Sequence, residues 1–144
     1  MLDLEDQVPP AARLLGRQLV SIDASNGEVR LVYCARPEFA NRHGTVQGGM
    51  LSAMLDSATG YAVMATLPEG FTVLTRRLET RFLKAASLGE ITVIVRITHK
   101  DERQASVEAE LLDSMGVTGA TGSAELSIRP RRSYAECSLV TPRR

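Results

Sequence analysis

One acidic side chain stands alone in an otherwise uncharged stretch. Between Arg42 and Glu69 the sole formal charge is Asp56. Around it Met50, Leu51, Met54, Leu55, Ala58, Tyr61 and Ala62 recur at helical spacing, while Ala53, Val63 and Met64 fill other faces. A helix apolar nearly all round is a buried one. A carboxylate on it must be hydrogen-bonded, neutral or facing a cleft, because an unpaired buried charge is too costly. Two roles stay open for Asp56: a structural carboxylate paired with Arg76 or Arg77, or a base or nucleophile set in an apolar wall.

Eight residues earlier, Gly48 and Gly49 stand where a polar loop becomes the helix. The first amides of a helix have no intrahelical partner, and the dipole there favours negative charge. Glycine lets a ligand approach those amides, and polar Asn41 and Gln47 just upstream fit an anion or oxyanion site. The same glycines also serve as a plain turn. No Gly-Lys-Ser/Thr follows, so this is not a phosphate loop. His43 is the histidine of this loop, readable as an exposed or capping group or as a titrating one. Ser52 and Ser57 lack a His/Asp arrangement and no G-x-S-x-G elbow exists, which disfavours serine hydrolysis.

The elements that must position these groups follow from the chain order. Pro9-Pro10 leads a short helix through Leu15. Gln18–Ala24 and Glu28–Ala35 form a hairpin across Ser25-Asn26-Gly27. Residues 37–47 are loop, and the central helix runs from Gly48 to Leu67. Thr72–Lys84, Glu90–His99, Ala105–Leu112 and Val117–Ile128 are strands, separated by turn residues. Gly119 and Gly122 thin the last one, which suggests close packing or a bend. The pattern predicts an α+β fold, one antiparallel sheet wrapped around a single long helix.

The 144 residues fit a single domain, with 1–8 and 131–144 expected to be flexible tails. Hydrophobic residues make up 44% and the formal net charge is zero, which argues against a nucleic-acid or anionic-membrane binder. The acidic start lacks the order of a secretory signal, and the apolar run ending at Pro68 is a poor membrane span. Cys34 and Cys137 have no metal-ligand spacing, so two reduced thiols in a cytoplasmic chain, without metal, is the expectation.

The string N-R-H-G-T-V-Q-G-G-M-L with an acid eight residues after the first paired glycine, then T-R-R-L and F-L-K-A-A-S-L-G-E, resembles the hotdog-fold acyl-CoA thioesterases. Within them it is most similar to the phenylacetic-acid-degradation (PaaI-like) branch, over about Asn41 to Ser127. The resemblance implies hydrolysis of an acyl-CoA to free acid and coenzyme A, without a cofactor. It implies Gly48 N–H polarising the thioester carbonyl, with Gly49 beside it, and Asp56 as nucleophile or as base for water. Asn41 maps to the position that orients water or thioester, and Thr75 to an assisting hydroxyl on the following strand. Many members carry histidine before the glycine pair; Gln47 here can donate a hydrogen bond but does not titrate near neutrality.

The resemblance also implies a homodimer, or a dimer of dimers, with the loop side and Asp56 supplied by opposite protomers. Arg76, Arg77, Arg81 and Lys84 are candidates for coenzyme A phosphates, with His43 a further substrate contact. A hydratase or dehydratase using His43 and Asp56 is the rival enzyme reading, and an acyl-CoA-binding regulator the non-enzymatic one. The 4% aromatic content gives no sign of an aryl pocket, and Met50, Met54 and Met64 suit a deformable acyl tunnel.

Overall fold

The computed structural model describes residues 8–131, so the expected flexibility of 1–7 and 132–144 lies outside the described residues. Its order is α1 (Pro10–Leu14), β1 (Gln18–Asp23), β2 (Glu28–Ala35), a 3-10 turn (Pro37–Phe39), α2 (Gly48–Met64), β3 (Phe71–Phe82), β4 (Gly89–Lys100), β5 (Gln104–Leu112) and β6 (Thr118–Pro130). The strands form one antiparallel sheet in the order β1-β2-β4-β5-β6-β3. The α+β expectation holds: the sheet curls around α2.

Period-two alternation decides what the helix meets. Val29, Leu31 and Tyr33 of β2, Ile91, Val93 and Val95 of β4, Val107 and Leu111 of β5, and Ala124 and Leu126 of β6 point inward and are buried. Against them α2 sets Leu51, Met54, Leu55, Ala58, Ala62 and Val63. The small residues of β6 let the helix come close. A Cβ on Gly122 would lie 3.3 Å from the Leu55 side chain, so close packing explains that glycine.

Three departures from the sequence reading have a physical cause, beside shifts of one or two residues at other element ends. The helix stops at Met64, since Thr66 and Leu67 amides turn back to Val63 and Met64 in a tighter final turn. The segment 37–47 is not featureless loop: it holds the 3-10 turn and an Ala40–Val46 bridge. The third strand ends at Phe82 rather than Lys84, because Leu83 and Lys84 amides both bond to Gly119 O and fold over the end of β6.

Among the described residues two strands are sheet edges, β1 and β3. The β3 edge is twelve residues long and flanks α2. Its pairing with β6 shifts register between Thr75 and Arg77, leaving Arg76 as a bulge. The extra residue moves the helix-facing set from Val73 and Thr75 to Leu78, Thr80 and Phe82.

Candidate functional site

Helix α2 runs along β3 through contacts made every fourth helical residue. The Phe82 ring lies over Gly48, where a Cβ would come within 3.2 Å of it. Ser52 Oγ donates to Thr80 Oγ1 at 3.1 Å. Thr75 Oγ1 donates to Asp56 Oδ1 at 2.8 Å, and Gly60 faces Val73. The bulge at Arg76 puts Thr75 on the helix side while Thr80 and Phe82 remain there.

Asp56 is exposed in the single chain rather than buried in an apolar wall, and it meets two of the expected conditions, being hydrogen-bonded and facing a cleft. The sheet covers only part of the helix circumference. Gly49, Ser52, Ala53, Asp56, Ser57, Gly60 and Met64 form a stripe that is not buried. Nor does Asp56 join an ion pair among the described residues. Arg77, one of its suggested partners, binds Glu79 at 3.0 Å and Glu125 at 3.6 Å instead. The structural reading of Asp56 as an arginine's counter-ion therefore fails.

Asp56 and Thr75 open onto a cleft of about 530 Å³ that continues past Ser57, Gly60, Tyr61 and Met64 toward Leu67 and Phe71. Two groups that the sequence does not mark as site residues, Arg17 and Tyr33, meet at Ser57. Arg17, just before β1, donates from Nη1 to Ser57 Oγ at 3.2 Å and stacks 4.8 Å from the Tyr61 ring centre. Tyr33 also donates to Ser57 Oγ, at 3.1 Å. Burial pushes the Tyr33 hydroxyl up to about 12. An arginine set between the short helix and the first strand is the one signal in the sequence, and nothing local ties it to residue 57.

The helix start forms a second cluster. Gly48 and Gly49 open α2, and the first bonds back to Gln47 O come from Met50 and Leu51. The amides of Gly48 and Gly49 therefore stand ahead of the helical ladder. Gln47 is exposed and its side chain makes no cap bond, while Gly49 has open space around it. Asn41 organises the loop: its Oδ1 accepts the amides of His43 (2.9 Å) and Thr45 (3.2 Å), and its Nδ2 donates to Thr45 Oγ1 (2.9 Å). In one chain that carboxamide is turned into its own loop. His43 is exposed there.

The two clusters are separated within a chain. Eight residues at 1.5 Å rise place Asp56 roughly 12 Å along the helix from Gly48. The cleft at Asp56 is lined by Thr75 but by none of Asn41, His43, Gln47, Gly48, Gly49, Arg76 or Arg77. Arg76 and Arg77 are exposed on β3. Among the described residues no group of three or more His, Cys, Asp or Glu could hold a metal, and no helix is long and apolar enough to cross a membrane.

With this geometry in view, the family model described as Thioesterase superfamily matches residues 43–120, more than half of the chain. The chain belongs to the thioesterase superfamily. This thioesterase is 35% identical to a phenylacetic acid degradation-related protein of Ralstonia eutropha JMP134, with a TM-score of 0.80 and coverage of 83% of this chain and 90% of that one. The PaaI protein of the phenylacetic acid degradation operon of E. coli shares the fold at 19% identity and a TM-score of 0.75, over 86% and 87% of the two chains. A Haemophilus influenzae thioesterase shares it at 14% identity and a TM-score of 0.81, over 92% of each. The chain is thus a hotdog-fold thioester hydrolase.

Proposed function

We propose that this thioesterase hydrolyses acyl-CoA thioesters with Asp56 as its base, in a site completed by a second copy of the chain. The observation that carries this is the Thr75–Asp56 hydrogen bond at a cleft, on a carboxylate that has no ion pair among the described residues. Thr75 occupies Oδ1 and fixes the carboxylate, leaving Oδ2 to take a proton from water. The water oxygen bonds to the thioester carbon, and negative charge develops on the carbonyl oxygen. A helix-start amide, Gly48 N–H, meets that charge, with Gly49 N–H and the Gln47 carboxamide beside it. Collapse re-forms the carbonyl and breaks the carbon–sulphur bond, and the proton passes to the departing thiolate of coenzyme A.

One chain cannot apply both groups to one carbonyl, because roughly 12 Å of helix separates them. A homodimer paired along the free β3 edge supplies the missing half. An uncovered strand of twelve residues is a template for a second strand. The unburied stripe of Gly49, Ala53, Asp56 and Gly60 lets a second α2 approach closely. With the two helices antiparallel, one protomer's helix start lies across from the other's Asp56.

The rival hydratase reading needs His43 facing Asp56, and no observation favours that pair over Gly48. Thiol release from a panel of acyl-CoAs by wild type and by Asp56→Asn tests the proposal. Release that falls at least about a hundredfold in a folded variant supports it; unchanged turnover refutes it.

A further inference from the structure

Arg17 is a half-buried cation without a carboxylate partner among the described residues. It shares the cleft with Asp56, is held against the Tyr61 face, and spends one N–H on Ser57. A guanidinium offers a rigid fork of donors suited to a planar anion, and stacking fixes its plane. Ser57 Oγ accepts from both Arg17 and Tyr33, so its own proton is left to be donated. Aromatic wall, arginine fork and hydroxyl donor converge next to the acid that the proposed reaction uses.

Resting on the acyl-CoA reading above, we propose that Arg17 and Ser57 bind an anionic terminus of the acyl group, so that the preferred substrates are mono-thioesters of short dicarboxylic acids. The other anions of such a substrate are the phosphates of coenzyme A. The whole pantetheine arm separates them from the sulphur, whereas Ser57 is the residue next to Asp56 in the helix. An anion held by Arg17 and Ser57 therefore lies within a few bonds of the reacting carbon, on the acyl side. A carboxylate brought beside Asp56 meets repulsion that the arginine offsets. Glu69 and Arg131, of opposite sign, also line the cleft and leave the local balance set by Arg17 and Asp56.

The test pairs malonyl-, succinyl-, glutaryl- and adipyl-CoA with the unsubstituted acyl-CoA of the same carbon number. Wild type is expected to favour the carboxylated member in kcat/KM by about tenfold or more at one length, the low end for a hydrogen bond to a charged group. Arg17→Met should collapse that ratio toward one, chiefly through KM, and Arg17→Lys should restore part of it. A wild-type preference for the neutral member at every length overturns the proposal, as does a ratio unchanged in Arg17→Met. If Arg17→Met does not fold, the wild-type ratio decides. If wild type turns over no thioester at all, the thioesterase reading fails. The anion site is then judged by calorimetry with carboxyalkyl- and alkyl-CoA thioethers: tighter binding of the former supports it, equal or weaker binding refutes it.

Discussion

Replacing Thr75 by valine removes one hydroxyl and little else. The two side chains have nearly the same shape, both suit a strand, and Asp56 stays in place. What is lost is the 2.8 Å donation to Asp56 Oδ1. A hydrogen bond to a charged group contributes about 1.5–3 kcal/mol, and the exposure of Asp56 in the single chain puts this one at the low end. About 1.5 kcal/mol is roughly tenfold in rate. Because in the proposed reaction the bond orients the base rather than holding substrate, the loss should fall on kcat with KM little changed. Steady-state thiol release on Thr75→Val and Thr75→Ser, with thermal melts as a folding control, reads this directly. Serine keeps the hydroxyl and should retain most of kcat. A valine variant with wild-type kcat, or a serine variant as impaired as valine, would refute the reasoning.

Three further outcomes follow from groups outside the proposed chemistry. The raised Tyr33 hydroxyl costs stability at alkaline pH. The unfolded tyrosine ionises near 10 and the folded one near 12, so its contribution is intact below 10 and is lost as pH climbs through 12. The loss should reach about 2–3 kcal/mol in denaturant titrations between those values, with ultraviolet absorbance showing one tyrosine that resists ionisation. Asp113 is 6% exposed; burial raises its carboxyl, but the amides of Ser87, Val117 and Met115 outweigh that and hold it below the ordinary value. Its contribution is present above the unfolded carboxylate range and is lost as pH falls through the folded value. Asp113→Ala should cost about 3 kcal/mol at neutral pH and flatten the acid side of the stability profile in urea melts. Gly122→Val presses on Leu55 across a 3.3 Å gap and should lower stability by about 1–3 kcal/mol by the same assay.

The sheet and helix were legible because burial writes itself into periodicity. Ile91, Val93, Val95 and Ile97 alternate with Thr92, Ile94 and Arg96; the first three are buried as the spacing implies, and Ile97, near the strand end, is half-buried. The Asx loop around Asn41 and the fold-back after Phe82 were not legible, because they depend on hydrogen bonds to Thr45 and Gly119 that no pattern announces. Asp56 shows a subtler failure. Apolar composition around the helix implies burial, yet within one chain Gly49, Ala53 and Gly60 leave a face uncovered. Small residues carry the same hydrophobic signal whether they face a sheet or another molecule. Thr75 came only through family resemblance, since it reaches Asp56 from nineteen residues away and depends on the Arg76 bulge. Arg17 came from the structure alone, forty residues from its partner Ser57.

The central claim, that one protomer's Asp56 works with another's Gly48, is open to a complementation measurement. Gly48→Pro deletes the amide and keeps the helix, since Gly48 is the first helical residue and Gln47 is already extended at φ −57 and ψ 133. The exposed Phe82 ring must shift to admit the proline. Asp56→Asn and Gly48→Pro should each be inactive alone. Differently tagged and co-expressed, they form a mixed dimer in which one site has both defects and the other has neither. That purified mixed dimer is expected to regain about half the wild-type kcat with wild-type KM. A mixed dimer as inactive as its parents contradicts the shared site.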